Sequence, residues 1–286
     1  MSRVTRFLRQ GALWLILLLA PWDTYAADVN GNSTLNTAPP PWNTTYARVY
    51  VFQVSALPSP PAPNKLYSGL PAWQFTKGPG YLMLLKYKSS PVGPYNELAY
   101  IPGKYKAGKC STPLFSVQRI WVDSEASVHG GRSNWGLPKE LAKFNWRRFA
   151  NGTEVVSVRA AADQSLLLHG VFDPVTSGIP PETLAWVLKQ ELSTVPSMQW
   201  PLDKPATPTT KPLSFQLTYN PKALGFAGIP NANAARKILR LRVNFEAFTG
   251  NKTLNFAALP AGQPVGLALG GGTTGYFPTA ETLACY

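Results

Sequence analysis

Hydrophobic and polar positions along this chain alternate, or gather in short apolar blocks, far more often than they recur at helical spacing. Arg48-Val49-Tyr50-Val51-Phe52-Gln53-Val54 reads as a strand, broken afterwards by the proline-rich loop Pro58–Pro63. Tyr81 to Lys88 is a second strand, apolar enough to be largely buried. Glu97 to Ile101 opens another after a turn, and Leu114 to Val122 is again strand-like. Asp123 or Ser124 then caps a short helix expected to end at Gly130-Gly131. Phe144–Phe149, Thr153–Ala161 and Ser165–Phe172 form a meander interrupted at Asn151-Gly152 and Asp163-Gln164. Pro181 to Leu192 is the strongest helix, with an early proline, an acidic first turn, and Leu184, Val187, Leu188 and Leu192 on one face. Pro196 to Pro212 reads as a surface loop or an insertion, while Leu213–Tyr219 and Lys237–Phe248 return to strand patterning. In the last of these, Arg236, Arg240 and Arg242 alternate with apolar residues as the wet face of a strand. Leu267 to Gly272 is a turn or a place of close backbone packing.

Composition agrees with a turn-rich β fold. The 286 residues include 28 prolines and 23 glycines, and only 14% are charged. Hydrophobic residues make up 45%, enough for one substantial core. The N-terminus carries Arg3, Arg6 and Arg9 ahead of the apolar run Ala12–Ala20, with small residues at Ala26 and Ala27. This is the pattern of a signal peptide over residues 1–26, too short in its apolar part to span a bilayer comfortably. A flexible lead-in over residues 27–45 and one domain over 46–286 follow, and no later stretch is long and apolar enough to span. The sequons at Asn32, Asn43, Asn151 and Asn251 fit an exported, glycosylated eukaryotic chain. The formal net charge of +13 favours anionic partners: a carboxylate substrate, acidic glycans or a membrane surface. Nucleic acid is not expected, for want of a dense basic run. Cys110 and Cys285 are the only cysteines, and in an oxidising compartment their pairing would tie the C-terminal tail to the body. With His129 and His169 the only histidines, there is no zinc pattern; neither a metal nor another cofactor is expected.

The stretch that carries chemistry is Gly130 to Phe144, GGRSNWGLPKELAKF. Pro138 fixes its own φ and biases Leu137 toward an extended conformation, so the backbone of Lys139 is rigidly placed. Gly131, Arg132, Gly136, Pro138, Lys139, Leu141 and Ala142, with Trp135, resemble the Schiff-base lysine segment of the acetoacetate decarboxylase family. Upstream, Gly93-Pro94-Tyr95-Asn96-Glu97-Leu98 looks like that family's Gly-x-Tyr-x-Glu segment, and Val117 to Asp123 looks like the strand leading to the lysine loop. The resemblance runs from about Tyr81 to Phe149 and suggests a divergent, secreted member of fungal type. It implies a mainly β (α+β) fold, an antiparallel closed or cone-like β-barrel with a few short helices.

The resemblance also implies Schiff-base chemistry, decarboxylation first, with aldol or dehydration reactions of the same iminium left open. A lysine amine condenses with a keto acid, and the iminium accepts the electrons left behind as carbon dioxide departs. The amine must be neutral to attack, which burial would promote. By position, Lys139 would be the nucleophile and Glu97 the proton-handling group. Arg132 would bind the substrate carboxylate or brace the loop, and Trp135 and Tyr95 would line the substrate site. The chain departs from the family where a second lysine would follow Lys139: it has Glu140, and Ser133 replaces a common acidic residue. Neighbours in an extended segment face opposite ways, so Glu140 is expected to point away from the amine. The expected partner is a small-molecule keto acid other than acetoacetate, with homo-oligomerisation left open. The alternative is a secreted, non-catalytic β-barrel that binds a small hydrophobic or carboxylate ligand.

Overall fold

A computed structural model describes residues 38–54, 64–71, 73–76, 80–172, 194–202, 209–220, 223–227, 242–243 and 266–286. The expected signal segment, the helix over 181–192 and most of the 237–248 strand lie outside these residues, as do Asn32 and Asn251. Strands dominate. In chain order they are β1 (Trp42–Val54), β2 (Gln74–Phe75), β3 (Gly80–Ser89), β4 (Asn96–Ile101), β5 (Lys104–Lys106), β6 (Leu114–Phe115) and β7 (Arg119–Val122). Helix α1 (Glu125–Trp135) precedes β8 (Lys139–Arg148), β9 (Glu154–Ala160), β10 (Leu166–Phe172), β11 (Thr194–Gln199), β12 (Leu213–Asn220) and β13 (Ala223–Ala227). Strands β14 (Arg242–Val243), β15 (Gly266–Leu269), β16 (Thr273–Phe277) and β17 (Glu281–Thr282) complete the set. They join in one strongly curled half-barrel sheet, and α1 is the one α-helix among the described residues.

Alternation explains why both faces of the central strands are covered. One face of β1, β3, β4 and β7 carries Val49, Val51, Met83, Leu85, Ala99, Ile101, Ile120 and Val122, and these pack with Val128 and Trp135 of α1. The opposite face carries Tyr50, Phe52, Leu82, Leu84, Leu98, Tyr100 and Trp121, covered by Ala142, Val156, Val158, Leu168 and Phe172 of β8, β9 and β10. Most neighbouring strands run antiparallel, but β7 and β8 are parallel, with Ile120 beside Lys139. A parallel pair needs a crossover, and α1 is that crossover. The fold therefore delivers Lys139 from the end of the helix into the buried first position of β8.

Four local expectations change. Strand β1 begins at Trp42, within the segment that reads as lead-in, because residues 42–46 pair with 273–277 of β16. Helix α1 does not stop at Gly130-Gly131 but runs to Trp135 and ends at Gly136, which adopts the left-handed conformation (φ 66°) that glycine accepts best. The first strand of the meander starts at Lys139, five residues before Phe144. The segment at Pro196 is partly strand, since Thr194–Gln199 pairs with β12 and touches β6 only at Ser197, so proline costs few ladder bonds there.

Cys110 and Cys285 form a disulfide with Cα atoms 5.0 Å apart. It joins residues 175 positions apart, and in the chain-entropy picture so long a loop contributes about 4–5 kcal/mol. Around it, Tyr105, Ala107, Met198 and Leu283 form a small separate cluster.

Tyrosines are unusually prominent inside. The hydroxyls of Tyr46, Tyr50, Tyr67, Tyr95, Tyr100 and Tyr105 are all pushed above the ordinary tyrosine value of 10.0, in each case mainly by burial. A folded-state value raised above the unfolded one gives stability that is fully present below about pH 10 and lost as pH rises further. Tyrosinate absorbance at 295 nm is thus expected to grow together with loss of the circular dichroism signal above pH 10. Titration of these six phenols in the intact fold near pH 10 would contradict the burial account.

Candidate active site

The side chain of Lys139 lies under α1 and is almost sealed from water, with 2% of the residue's surface exposed. Its Nζ donates to Glu97 Oε2 at 2.9 Å and to Ser127 Oγ at 2.9 Å, with a longer contact of 3.5 Å to the Tyr95 hydroxyl. It also sits 5.0 Å from the centre of the Tyr95 ring, within cation–π range.

Each partner arrives from a different element for a local reason. Glu97 lies opposite Leu85 in the β3–β4 pair and opposite Val122 in β4–β7, so strand alternation aims a carboxylate into an apolar stripe. It is 6% exposed, and its second oxygen accepts from the Tyr87 hydroxyl at 3.2 Å. Tyr87 and Tyr95 stack with centroids 4.0 Å apart, walling one side. The Tyr95 phenol is held well above its ordinary value by burial first and by the Glu97 charge second, so it stays a neutral donor. Ser127 is contributed by the first turn of α1, where its N–H also caps onto Ser124 Oγ.

The glycine pair now has a physical purpose. Residues 127 and 131 lie one helical turn apart on the same face. A Cβ on Gly131 would stand 2.6 Å from Cδ and 2.7 Å from Cε of Lys139. The missing side chain is the slot in which the lysine stem lies. Gly136 is equally constrained, since a Cβ there would come within 1.9 Å of the Trp200 carbonyl. Its own carbonyl accepts from Tyr67, whose hydroxyl in turn receives the Gln199 amide.

The other expected site residues divide by role. Arg132 Nε donates to the Lys139 carbonyl at 2.8 Å, so it braces the turn that presents the lysine. Trp135 is buried, its indole N–H given to the Pro278 carbonyl at 2.6 Å and its ring set edge-on to Trp42. It anchors the end of α1 in the core, and its single polar atom is committed away from the amine. Glu140 faces away from the amine and pairs with Lys65 at 3.3 Å. Asn43 and Asn151 are both exposed, Asn43 on β1 and Asn151 at the β8–β9 turn, where its side chain accepts from the Thr153 N–H. Ser127, Tyr87 and the Gly131 slot were not singled out from the sequence. The signals were present: Tyr87, Leu85 and Met83 share one strand face, and Ser127 precedes Gly131 by four.

Chemically the arrangement is an amine and a carboxylate in direct contact, with hydroxyls on either side and little water. It can hold a proton on nitrogen or pass it 2.9 Å to oxygen. Gly131→Ala tests the slot. On an exposed helix that change stabilises by about 1 kcal/mol; here it is expected to destabilise by roughly 1–3 kcal/mol by overpacking. A thermal melt decides, and a stabilised variant would show that the lysine does not rest on Gly131.

Comparison with known proteins gives a consistent result. A family model described as acetoacetate decarboxylase (ADC) matches residues 65–207. No curated protein matches the chain. Among solved structures, an acetoacetate decarboxylase from Legionella pneumophila subsp. pneumophila str. Philadelphia 1 superposes with a TM-score of 0.56 at 14% identity, covering 86% of this chain and 88% of the other. A second acetoacetate decarboxylase structure gives 0.55 at 10% identity, covering 86% and 90%. At such identities the likeness is one of fold.

Proposed function

Since the chain belongs to the acetoacetate decarboxylase family, we propose that it is a Schiff-base decarboxylase of a β-keto acid, with Lys139 as nucleophile and Glu97 as its proton partner. The observation that carries this reading is the 2.9 Å contact between Lys139 Nζ and Glu97 Oε2 in a nearly water-free setting. In this reading Glu97 takes one ammonium proton, and the neutral amine adds to the ketone carbon. The carboxylic acid then returns a proton to the carbinolamine oxygen, which leaves as water and gives the iminium. The C–C bond to the carboxylate breaks, carbon dioxide departs, and the electron pair moves into the iminium to form an enamine. Protonation at carbon and addition of water release the ketone and restore the ammonium. Ser127 and Tyr95 hold the nitrogen in place throughout. Glu140, standing where the family has a second lysine, supports a substrate other than acetoacetate.

One observation favours the non-catalytic reading. Lys139 Nζ is held in a buried ion pair with Glu97 and by Ser127, and an amine committed to such contacts is not free to attack a carbonyl. Borohydride reduction separates the two. Incubated with β-keto acids and borohydride, the wild-type chain is expected to gain the mass of a reduced adduct, and Lys139→Ala to gain none. Glu97→Gln should slow turnover by about 10²–10⁴-fold, whereas Glu140→Ala should trap like the wild type. Absence of any adduct across a panel of keto acids would leave the binding-protein reading standing.

The same proposal makes the protein secreted. It is supported by the arginine-led apolar N-terminus and by exposed sequons at Asn43 and Asn151. Protein from the medium should begin near Ala27 or Asp28 and shift in mass on glycosidase treatment. An intact Met1 on an unglycosylated protein would overturn the localisation.

A further inference from the structure

The solvent face of the β8–β9–β10 sheet is cationic in a way that folding does not explain. Register places Lys143 of β8 directly opposite Arg159 of β9, and both are exposed. Like charges directly across an antiparallel pair destabilise it by about 0.2–1 kcal/mol. Arg147 lies two alternations further along β8 on the same face. Among the described residues this face carries no acid. Glu154 is buried and held by Arg48 through both carboxylate oxygens, at 3.0 Å each, and by the Tyr50 hydroxyl. At the far end, Glu140 is paired with Lys65. Arg159 gives one N–H to the Gln164 carbonyl at 2.9 Å, which fixes it at the surface.

Between the cations stand groups that bond to hydroxyls and anions alike. Asn145 faces Ser157, and Ser157 faces His169, with Ser157 Oγ 2.7 Å from His169 Nδ1. Strand geometry spaces alternate side chains about 7 Å apart along β8 and neighbouring strands about 5 Å apart. The result is a strip on which the cations and hydrogen-bonding groups share one face with half-buried Val155 and Val171.

We propose that this strip binds a linear sulfated polysaccharide. Charge complementarity selects a polyanion, and the interleaved amide, hydroxyl and imidazole suit a chain that is both sulfated and hydroxylated. Single-stranded nucleic acid fits poorly, because it needs aromatic platforms, and Phe144 and Trp146 of β8 pack into the core on the other face. A membrane surface fits poorly because no exposed large apolar side chain stands among the cations: Val155 and Val171 are half-buried, Leu141 (37% exposed) sits at the end of the face, and the exposed Phe149 belongs to the hairpin turn beside the Asn151 sequon. The inference does not depend on what Lys139 does.

The test measures heparin binding by the full chain at physiological salt. Lys143→Glu/Arg159→Glu is compared with Lys109→Glu/Lys211→Glu, which makes the same charge change at exposed lysines elsewhere. The face variant is expected to bind at least about ten-fold more weakly, and the control to change by about two-fold or less, because screening confines the effect to local charges. Lys143→Gln/Arg159→Gln, which removes the charges without adding new ones, should fall between wild type and the Glu pair, with a melt no lower than the wild type's. Equal weakening by both Glu pairs would show that net charge alone is at work and overturn the proposal. Wild-type affinity in either face variant would do the same, as would phosphatidylserine vesicles competing with heparin for the same residues.

Discussion

An ammonium ion removed from water must find compensation within hydrogen-bonding distance, and around Lys139 three elements converge to supply it. The desolvation cost of each ion in a buried pair is several kcal/mol, and removing one partner typically costs about 3–5 kcal/mol. Here the compensation is one carboxylate from β4, one hydroxyl from α1 and one aromatic face from the turn before β4. None of these can shift far without stranding a charge. The β4–β7 register, the parallel β7–β8 pair and the position of α1 are therefore tied to one nitrogen atom.

The helix end illustrates how that tie is enforced. Arg132, Trp135 and Gly136 each use their bonding capacity on backbone: the Lys139 carbonyl, the Pro278 carbonyl and the Arg132 carbonyl. Such bonds define position and leave chemistry to others. They also connect the site outward. Trp200, whose carbonyl crowds Gly136, stacks on Trp73 and meets the Tyr286 ring, one residue beyond the disulfide. The cross-linked tail thus buttresses the turn that presents the lysine.

Much of this was legible in the sequence, and the reasons for the rest are specific. Strands β3, β4 and β7 announced themselves because buried sheet positions demand apolar residues at fixed spacing. The lysine segment was legible through its resemblance to a family pattern, and the structure supplies the physical reason for that pattern: close packing at Gly131 and a rigid turn at Pro138 leave little choice of residue. The length of α1 was not legible. Two adjacent glycines weaken a helix locally, yet burial of Trp135 and the lysine slot at Gly131 outweigh that preference. Strand β11 was hidden by Pro196, which is acceptable only because its second neighbour touches it at one residue. Tyr87 and Ser127 escaped because their roles depend on cross-strand register and on helix placement, which short sequence windows do not encode.

The pairing of β1 sets an order of events in time. Trp42 lies against Phe277 and Tyr46 against Thr273, so the first described strand completes its ladder with residues made long after it. At a typical ~5–20 residues per second the ribosome needs on the order of tens of seconds to bridge that interval. Throughout it, β1 can pair with β3, while its other edge, from Trp42 to Phe52, waits for β15 and β16. An unpaired edge bearing Val49, Val51 and Phe52 is an invitation to neighbouring chains. Nascent copies crowded together are thus exposed to misassociation until β15 and β16 emerge, and a chain truncated before residue 266 would never escape it.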